Sequence, residues 1–242
     1  MTTTEPIHAE TLAVAQTALT PMQREEMFSL LSRHFEGVTR EQFERDLAEK
    51  NWTLLVRCDG RLAGFTTLHA YQSAYEGRNV NVIYSGDTIM EPEAWGTTAL
   101  ARGWIALVNR VRAAMAPGPC HWLLLTSGFR TYRFLPVFWR EFWPCHAAPT
   151  PPAARRLLAH LAGERFGAGY DEVAGVVRLP QPQRLRAALR AVPAGRAADP
   201  HIAFFLAHNP GHDDGDELVC LTELGAGNLT PAGERMVRAA PP

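Results

Sequence analysis

The stretch from residue 78 to 115 constrains the fold more than any other, because it joins two patterns of different period through one short loop. In residues 78–90, Val80, Val82 and Tyr84 alternate with Asn79, Asn81, Ser85 and Asp87, the two-residue period of a pleated strand with one buried face. In residues 97–115, Leu100, Trp104, Leu107, Val108, Val111 and Met115 keep to one side of a 3.6-residue period, which predicts an amphipathic helix. Glu91-Pro92-Glu93-Ala94-Trp95-Gly96 connects them. A strand that enters a helix through a glycine-bearing loop points unpaired helix N–H groups at one spot, and phosphate is the commonest anion to occupy it. A phosphate-bearing ligand is therefore the first expectation.

The flanking sequence supplies the other layers. Residues 21–35 read as a helix capped by Thr20, with Pro21 in its first turn and Gly37 just beyond its end. Thr39 and Gln42 have the spacing of a capping box for a second helix whose Phe43 and Leu47 face the first. Residues 52–58 and 62–71, separated by Asp59-Gly60, predict a hairpin on a type I′ turn. Residues 120–126 are short and nearly all apolar, as in a strand covered on both faces. The aromatic-rich residues 129–143 predict a helix packed on the sheet, started or kinked at Pro136.

Later residues are less patterned. Four prolines in residues 144–152 suggest a stiff connector, followed by a helix over 153–166 and a weak strand over 172–179. Residues 201–207 and 217–224 predict a closing hairpin. Residues 1–20 read as an N-terminal extension, 21–224 as one domain and 225–242 as a tail.

Composition limits the partners. In 242 residues, 24 Lys and Arg nearly balance 25 Asp and Glu, so no global field recruits nucleic acid or an anionic membrane surface. Cys58, Cys120, Cys145 and Cys220 are far apart and form no CxxC, which fits reduced thiols in a cytoplasmic protein. No apolar run reaches membrane-spanning length. His208 and His212 are four apart, but Pro210 and Gly211 make that segment a turn, so no metal site is expected.

Helix pair, hairpin, long strand, loop, helix, strand, helix and late hairpin is an order of elements that resembles the GNAT superfamily of acyl-CoA-dependent N-acyltransferases. The resemblance covers residues 21–143 together with 202–224, with an insertion at 144–200. It implies an α/β (α+β) fold with a mixed, largely antiparallel central sheet flanked by helices. It also implies transfer of an acyl group, usually acetyl, from acetyl-CoA or another acyl-CoA to an amine of a small molecule or protein. Glu93-Ala94-Trp95-Gly96-Thr97-Thr98 is similar to the family's pyrophosphate loop but keeps only its first glycine, with Trp95 where a basic residue is usual.

On that resemblance Gly96, Thr97 and Thr98 would bind donor phosphate, and Gly86 would mark a bulge beside the acyl carbonyl. Asp87 would be the base and Tyr132 the acid. The residues themselves leave alternatives open. Asp87 also reads as a polar residue on the solvent face or capping a bulge, and Tyr132 as an aromatic anchor with a locally bonded hydroxyl. Arg130 and Arg133 read either as phosphate or acidic-acceptor contacts or as a salt-bridged face. Two rival functions stand beside the acyl-CoA enzyme: an acyltransferase using an acyl carrier protein, and a non-catalytic binding module, which would form a homodimer through the aromatics of residues 134–143. An enzyme should keep an open cleft between the long strand and residues 120–126; a binding module could fill it with Trp95, Trp104 or Trp122.

Overall fold

The computed structural model describes residues 8–196 and 198–239. The chain begins with strand β1 (Ala9–Ala15), helix α1 (Pro21–His34), a two-residue strand β2 (Phe35–Glu36) and helix α2 (Arg40–Ala48). Strands β3 (Trp52–Cys58), β4 (Arg61–Tyr75) and β5 (Arg78–Met90) follow, then helix α3 (Ala99–Ala114) and strand β6 (Cys120–Thr126). Two short helices, α4 (Phe129–Tyr132) and α5 (Phe134–Phe138), precede α6 (Pro152–Phe166) and the short strands β7 (Tyr170–Asp171), β8 (Val176–Val177) and β9 (Arg184–Leu185). Helices α7 (Ala187–Arg190) and α8 (Pro200–His208), strand β10 (Glu217–Glu223) and helix α9 (Pro231–Ala239) complete it.

Eight strands form one sheet in the order β1-β3-β4-β5-β6-β10-β8-β7, antiparallel throughout except for the parallel pair β5–β6. This is the mixed, largely antiparallel sheet flanked by helices that the resemblance implies. The β3–β4 turn has Asp59 at φ 50 and Gly60 at φ 79, the left-handed pair that a type I′ hairpin needs. Because β5 and β6 are parallel, their connection must cross over, and α3 is that crossover.

One face of the sheet carries α3, α4, α5, α8 and α9, over a core that includes Leu54, Leu68, Ile83, Trp104, Trp122 and Phe205. The other face carries two separate clusters. Met27, Leu31, Phe43, Leu55 and Phe65 pack under α1 and α2, while Val82, Tyr84, Leu125 and Val219 pack with Leu158 and Leu161 of α6. Helices on both faces explain why Val80 through Ser85 are all buried, where alternation alone predicts one wet face on β5.

Several expectations are corrected. Residues 201–207 are helical, not one arm of a hairpin: Asp199 accepts from the N–H groups of His201 and Ile202, and Pro200 fills the first helical position. The strand β10 pairs instead with β6 and β8. The helix expected over 129–143 stops at Phe138, with a break at Arg133 between α4 and α5. The strand expected over 172–179 shrinks to β8, which pairs with β7 through a tight turn. The reciprocal capping box belongs to Thr20 and Gln23 of α1, whereas Thr39 makes only its own half of the arrangement at α2. The segment set aside as an N-terminal extension supplies the edge strand β1, seated on β3 from Ala9↔Cys58 to Ala15↔Trp52. The C-terminal tail supplies α9, which packs on α3 and α5. No helix among the described residues is long and apolar enough to cross a membrane.

Candidate functional site

The parallel pair β5–β6 is bonded only from Asn81↔Cys120 to Ser85↔Leu124. Beyond that point β5 stays with β4, pairing Met90 to Gly64, while β6 stays with β10, pairing Thr126 to Leu218. The strands part, and a cleft of about 500 Å³ opens between residues 87–90 of one and 125–128 of the other. That volume suits a small-molecule ligand.

A bulge shapes the β5 wall. Thr67 pairs with Gly86 and Phe65 with Ile89, so β5 holds one more residue than β4 across this interval, and Asp87 sits at φ 34. The bulge thus falls where Gly86 predicts it. A side chain at Gly86 would press on the Tyr84 ring, 3.0 Å from its hydroxyl. Asp87 lines the cleft, and Thr67 donates a weak 3.4 Å hydrogen bond to its carboxylate.

The N-terminus of α3 closes one end. No side chain caps it, and its first turn contains no acidic residue. The first bond made within the helix is from the Arg102 N–H to the Thr98 carbonyl, so Ala99, Leu100 and Ala101 present N–H groups without an intrahelical partner. Leu100 and Ala101 border the cleft, as does Thr97. The Thr97 N–H and hydroxyl both donate to the Ala94 carbonyl, at 3.0 and 2.9 Å, so this residue shapes the turn. Gly96 and Thr98 are exposed and lie outside the cleft lining. Gly96 has no positive φ and no neighbour crowding its Cα, so the fold itself does not require glycine there. The loop is anchored at its start, where Glu91 accepts from Arg33 and pairs with His34 Nε2 at 2.7 Å, and by the Trp95 indole, which donates to the Met90 carbonyl.

Across the cleft, the Arg130 guanidinium lies 4.0 Å over the Trp95 ring and donates to the Leu189 and Ala191 carbonyls. Burial, and then the Arg196 charge, push its pKa down. Arg133 pairs with Asp199 at 3.1 Å. The strap of residues 183–196 roofs the cleft: β9 pairs with β2, Arg186 donates to the Arg33 carbonyl, and Gln183, Leu189, Arg190 and Arg196 face inward. Trp104, Trp122 and Trp139 pack against one another in tilted and edge-to-face pairs beneath the α3 face, and the Trp122 indole donates to Ser85 Oγ at 2.7 Å. Among the described residues, Trp95 is the one tryptophan that lines the cleft, and it is 40% exposed.

The structure does not bring Tyr132 to this cleft. Its side chain is fully buried among Phe142, Phe204 and Phe205, and its hydroxyl donates to the Pro144 carbonyl at 3.0 Å. Burial raises its pKa far above the ordinary phenol range. It is the aromatic anchor of the two readings.

Glu217, which the sequence reading passes over, lines the cleft instead. It heads β10, a strand otherwise buried from Leu218 to Thr222. Burial, followed by the charges of Asp87 and Asp46, raises its carboxyl pKa to about 8, with Lys50 opposing them. The available signal was a carboxylate leading an unbroken apolar run, masked by Asp213, Asp214 and Asp216 just before it.

Fold and site together define a layered α/β protein with a ligand-sized cleft where two parallel strands part. No family profile and no curated protein matches the sequence. Among solved structures, the chain is similar to a GCN5-related N-acetyltransferase from Kribbella flavida, with TM-score 0.42, 11% identity, and 92% of this chain and 65% of that one covered. It is similar to a conserved protein of unknown function from Enterococcus faecalis, described as a probable N-acyltransferase, with TM-score 0.42 and 17% identity over 56% of this chain. The match covers 33% of the Enterococcus chain. A GNAT family N-acetyltransferase from Escherichia coli in complex with CoA matches with TM-score 0.38 and 17% identity, over 54% of this chain and 70% of that one.

Proposed function

We propose that the chain is an acyltransferase of the GNAT type, moving an acyl group from a CoA thioester to an amine of a small molecule. The observation that carries this reading is the open cleft at the parting of β5 and β6, with the uncapped N-terminus of α3 at its end. Helix N–H groups and the nearby arginines suit a diphosphate, since both favour negative charge. The fit extends to the bulge, where backbone N–H groups near Asp87 are released from the ladder and can donate to a carbonyl oxygen.

In this scheme Ala99, Leu100 and Ala101 hold donor phosphate through their N–H groups, with Gly96 and Thr98 at the outer edge of the same turn. Gly86 keeps the bulge clear of side chain, and Asp87 offers its carboxylate to the incoming amine as a hydrogen-bond acceptor. The donor supplies the activated acyl group, and the chain's residues orient it and exclude water. An acyl carrier protein is the alternative donor, and a non-catalytic binding role loses support because no tryptophan occupies the gap.

Thermal unfolding with CoA, acetyl-CoA and a long-chain acyl-CoA tests the reading. A ligand at about 100 times its dissociation constant stabilises by about 2.7 kcal/mol, so a raised midpoint is expected with at least one of them. No shift with any of the three, together with a shift from an acylated carrier protein, would move the donor to the carrier; no shift from either would remove the enzyme reading.

A further inference from the structure

We propose that Glu217 is a catalytic residue, the group that takes the proton from the attacking amine in the cleft. This rests on the acyl-transfer reading. Its placement carries the argument. Glu217 follows the acidic turn and heads β10, one residue beyond the Leu218↔Thr126 pair and three beyond Cys220↔Leu124, where β6 is last bonded to β5, so it stands beside the stretch over which the two strands have parted. By alternation its side chain shares a face with Val219, the face of Tyr84, Leu125 and α6. There it meets the open wall of the cleft, between the cluster under α6 and the cluster under α1 and α2.

Among the described residues its carboxyl has no hydrogen-bond or ion-pair partner. The Lys50 ammonium donates to the Asp46 carbonyl at 3.0 Å. The charged groups acting on Glu217 are Asp87 from β5, Asp46 from α2 and Lys50 just beyond the end of that helix. Tyr84 of β5 lies beside the same group and is held well above the ordinary phenol pKa by burial, and His212 borders the same cleft. A carboxyl that titrates near working pH is suited to accept a proton and release it again.

The step balances without a further group. As the amine nitrogen forms its bond to the thioester carbonyl carbon, the carbon–sulfur bond breaks and its electron pair leaves with sulfur. Glu217 accepts one proton from nitrogen and passes one to the sulfur, so amine plus thioester gives amide plus thiol. Tyr132, buried away from the cleft, is not needed for the second transfer.

The test is thiol release from acetyl-CoA with 1,4-diaminobutane, glucosamine and lysine as acceptors, from pH 6 to 10, for the wild type, Glu217→Gln and Glu217→Asp. Acetyl-CoA-dependent thermal stabilisation is measured in parallel. The expected result is a rise in wild-type kcat/KM centred near pH 8, about 100-fold or more lost in Glu217→Gln together with that rise, and partial activity in Glu217→Asp. Acetyl-CoA should stabilise all three proteins alike. Wild-type kcat/KM and pH profile in Glu217→Gln would overturn the proposal and leave acyl transfer standing. Donor binding without turnover of any acceptor would also count against it. Failure of acetyl-CoA to bind the wild type or support thiol release would overturn the acyl-CoA reading itself.

Discussion

Three residues separate what the fold needs from what a ligand needs. Gly96 faces open space with ordinary backbone angles, so Gly96→Ala should change the folding free energy by less than about 0.5 kcal/mol. It should nevertheless weaken acetyl-CoA stabilisation, because in the proposed scheme Gly96 lies at the outer edge of the turn that holds donor phosphate. Tyr132 is the reverse case. Tyr132→Phe leaves the Pro144 carbonyl without its donor and should cost about 1 kcal/mol in denaturant unfolding, with kcat unchanged. Glu217 links stability to pH. Its folded pKa of about 8 stands above the ordinary 4.5, so the folded state keeps a proton that the unfolded chain has lost between those values. Its contribution is fully present below about pH 4.5 and is lost as pH rises through about 8. The wild type should therefore lose stability across that window relative to Glu217→Gln, as unfolding midpoints at pH 5 and pH 8.5 would show. The bulge beside Gly86 was legible because a glycine interrupts an otherwise patterned strand, and with it the position of Asp87 on the cleft wall. Glu217 was not, since the charges that act on it, Asp87, Asp46 and Lys50, lie far away in sequence.

At the scale of elements, legibility followed the range of the interactions involved. The β3–β4 hairpin, β5, α3 and β6 were readable because a turn dipeptide and two clean periodicities are local signals. The segment 201–207 was misread because Ile202, Phe204, Phe205 and Leu206 form a short apolar run that suits a strand or a buried helix. The deciding signal was Asp199-Pro200 just before it, an N-cap followed by proline at the first position. Asp199 also pairs with Arg133, tying α8 to α4. Asp199→Ala should accordingly destabilise by about 1–2 kcal/mol in denaturant titration, more than a cap on an isolated helix. Strand β1 escaped notice because its alanine-rich sequence has weak strand preference, and its conformation is set by the β3 edge it pairs with. The strap of residues 183–196 is unreadable locally for the same reason, since its hold comes from β2 and Arg130.

Over the whole molecule, helices on both faces force the sheet to be buried, and the one parallel pair forces a crossover. The crossover helix begins where the parallel strands part, so the cleft and the helix N-terminus coincide. That coincidence is a property of topology and was largely foreseeable from the 78–115 stretch; the roof of residues 183–196 and the place of Glu217 were not. The central claim is that the gap between β5 and β6 receives the acyl donor. The most direct measurement is a calorimetric titration of acetyl-CoA into the wild type and into Ser127→Trp, which places an indole in the gap from the β6 side. The account predicts binding to the wild type, and at least tenfold weaker binding to the variant with its unfolding midpoint within about 2 °C. Equal affinity in the two folded proteins would contradict it and place the donor outside the cleft.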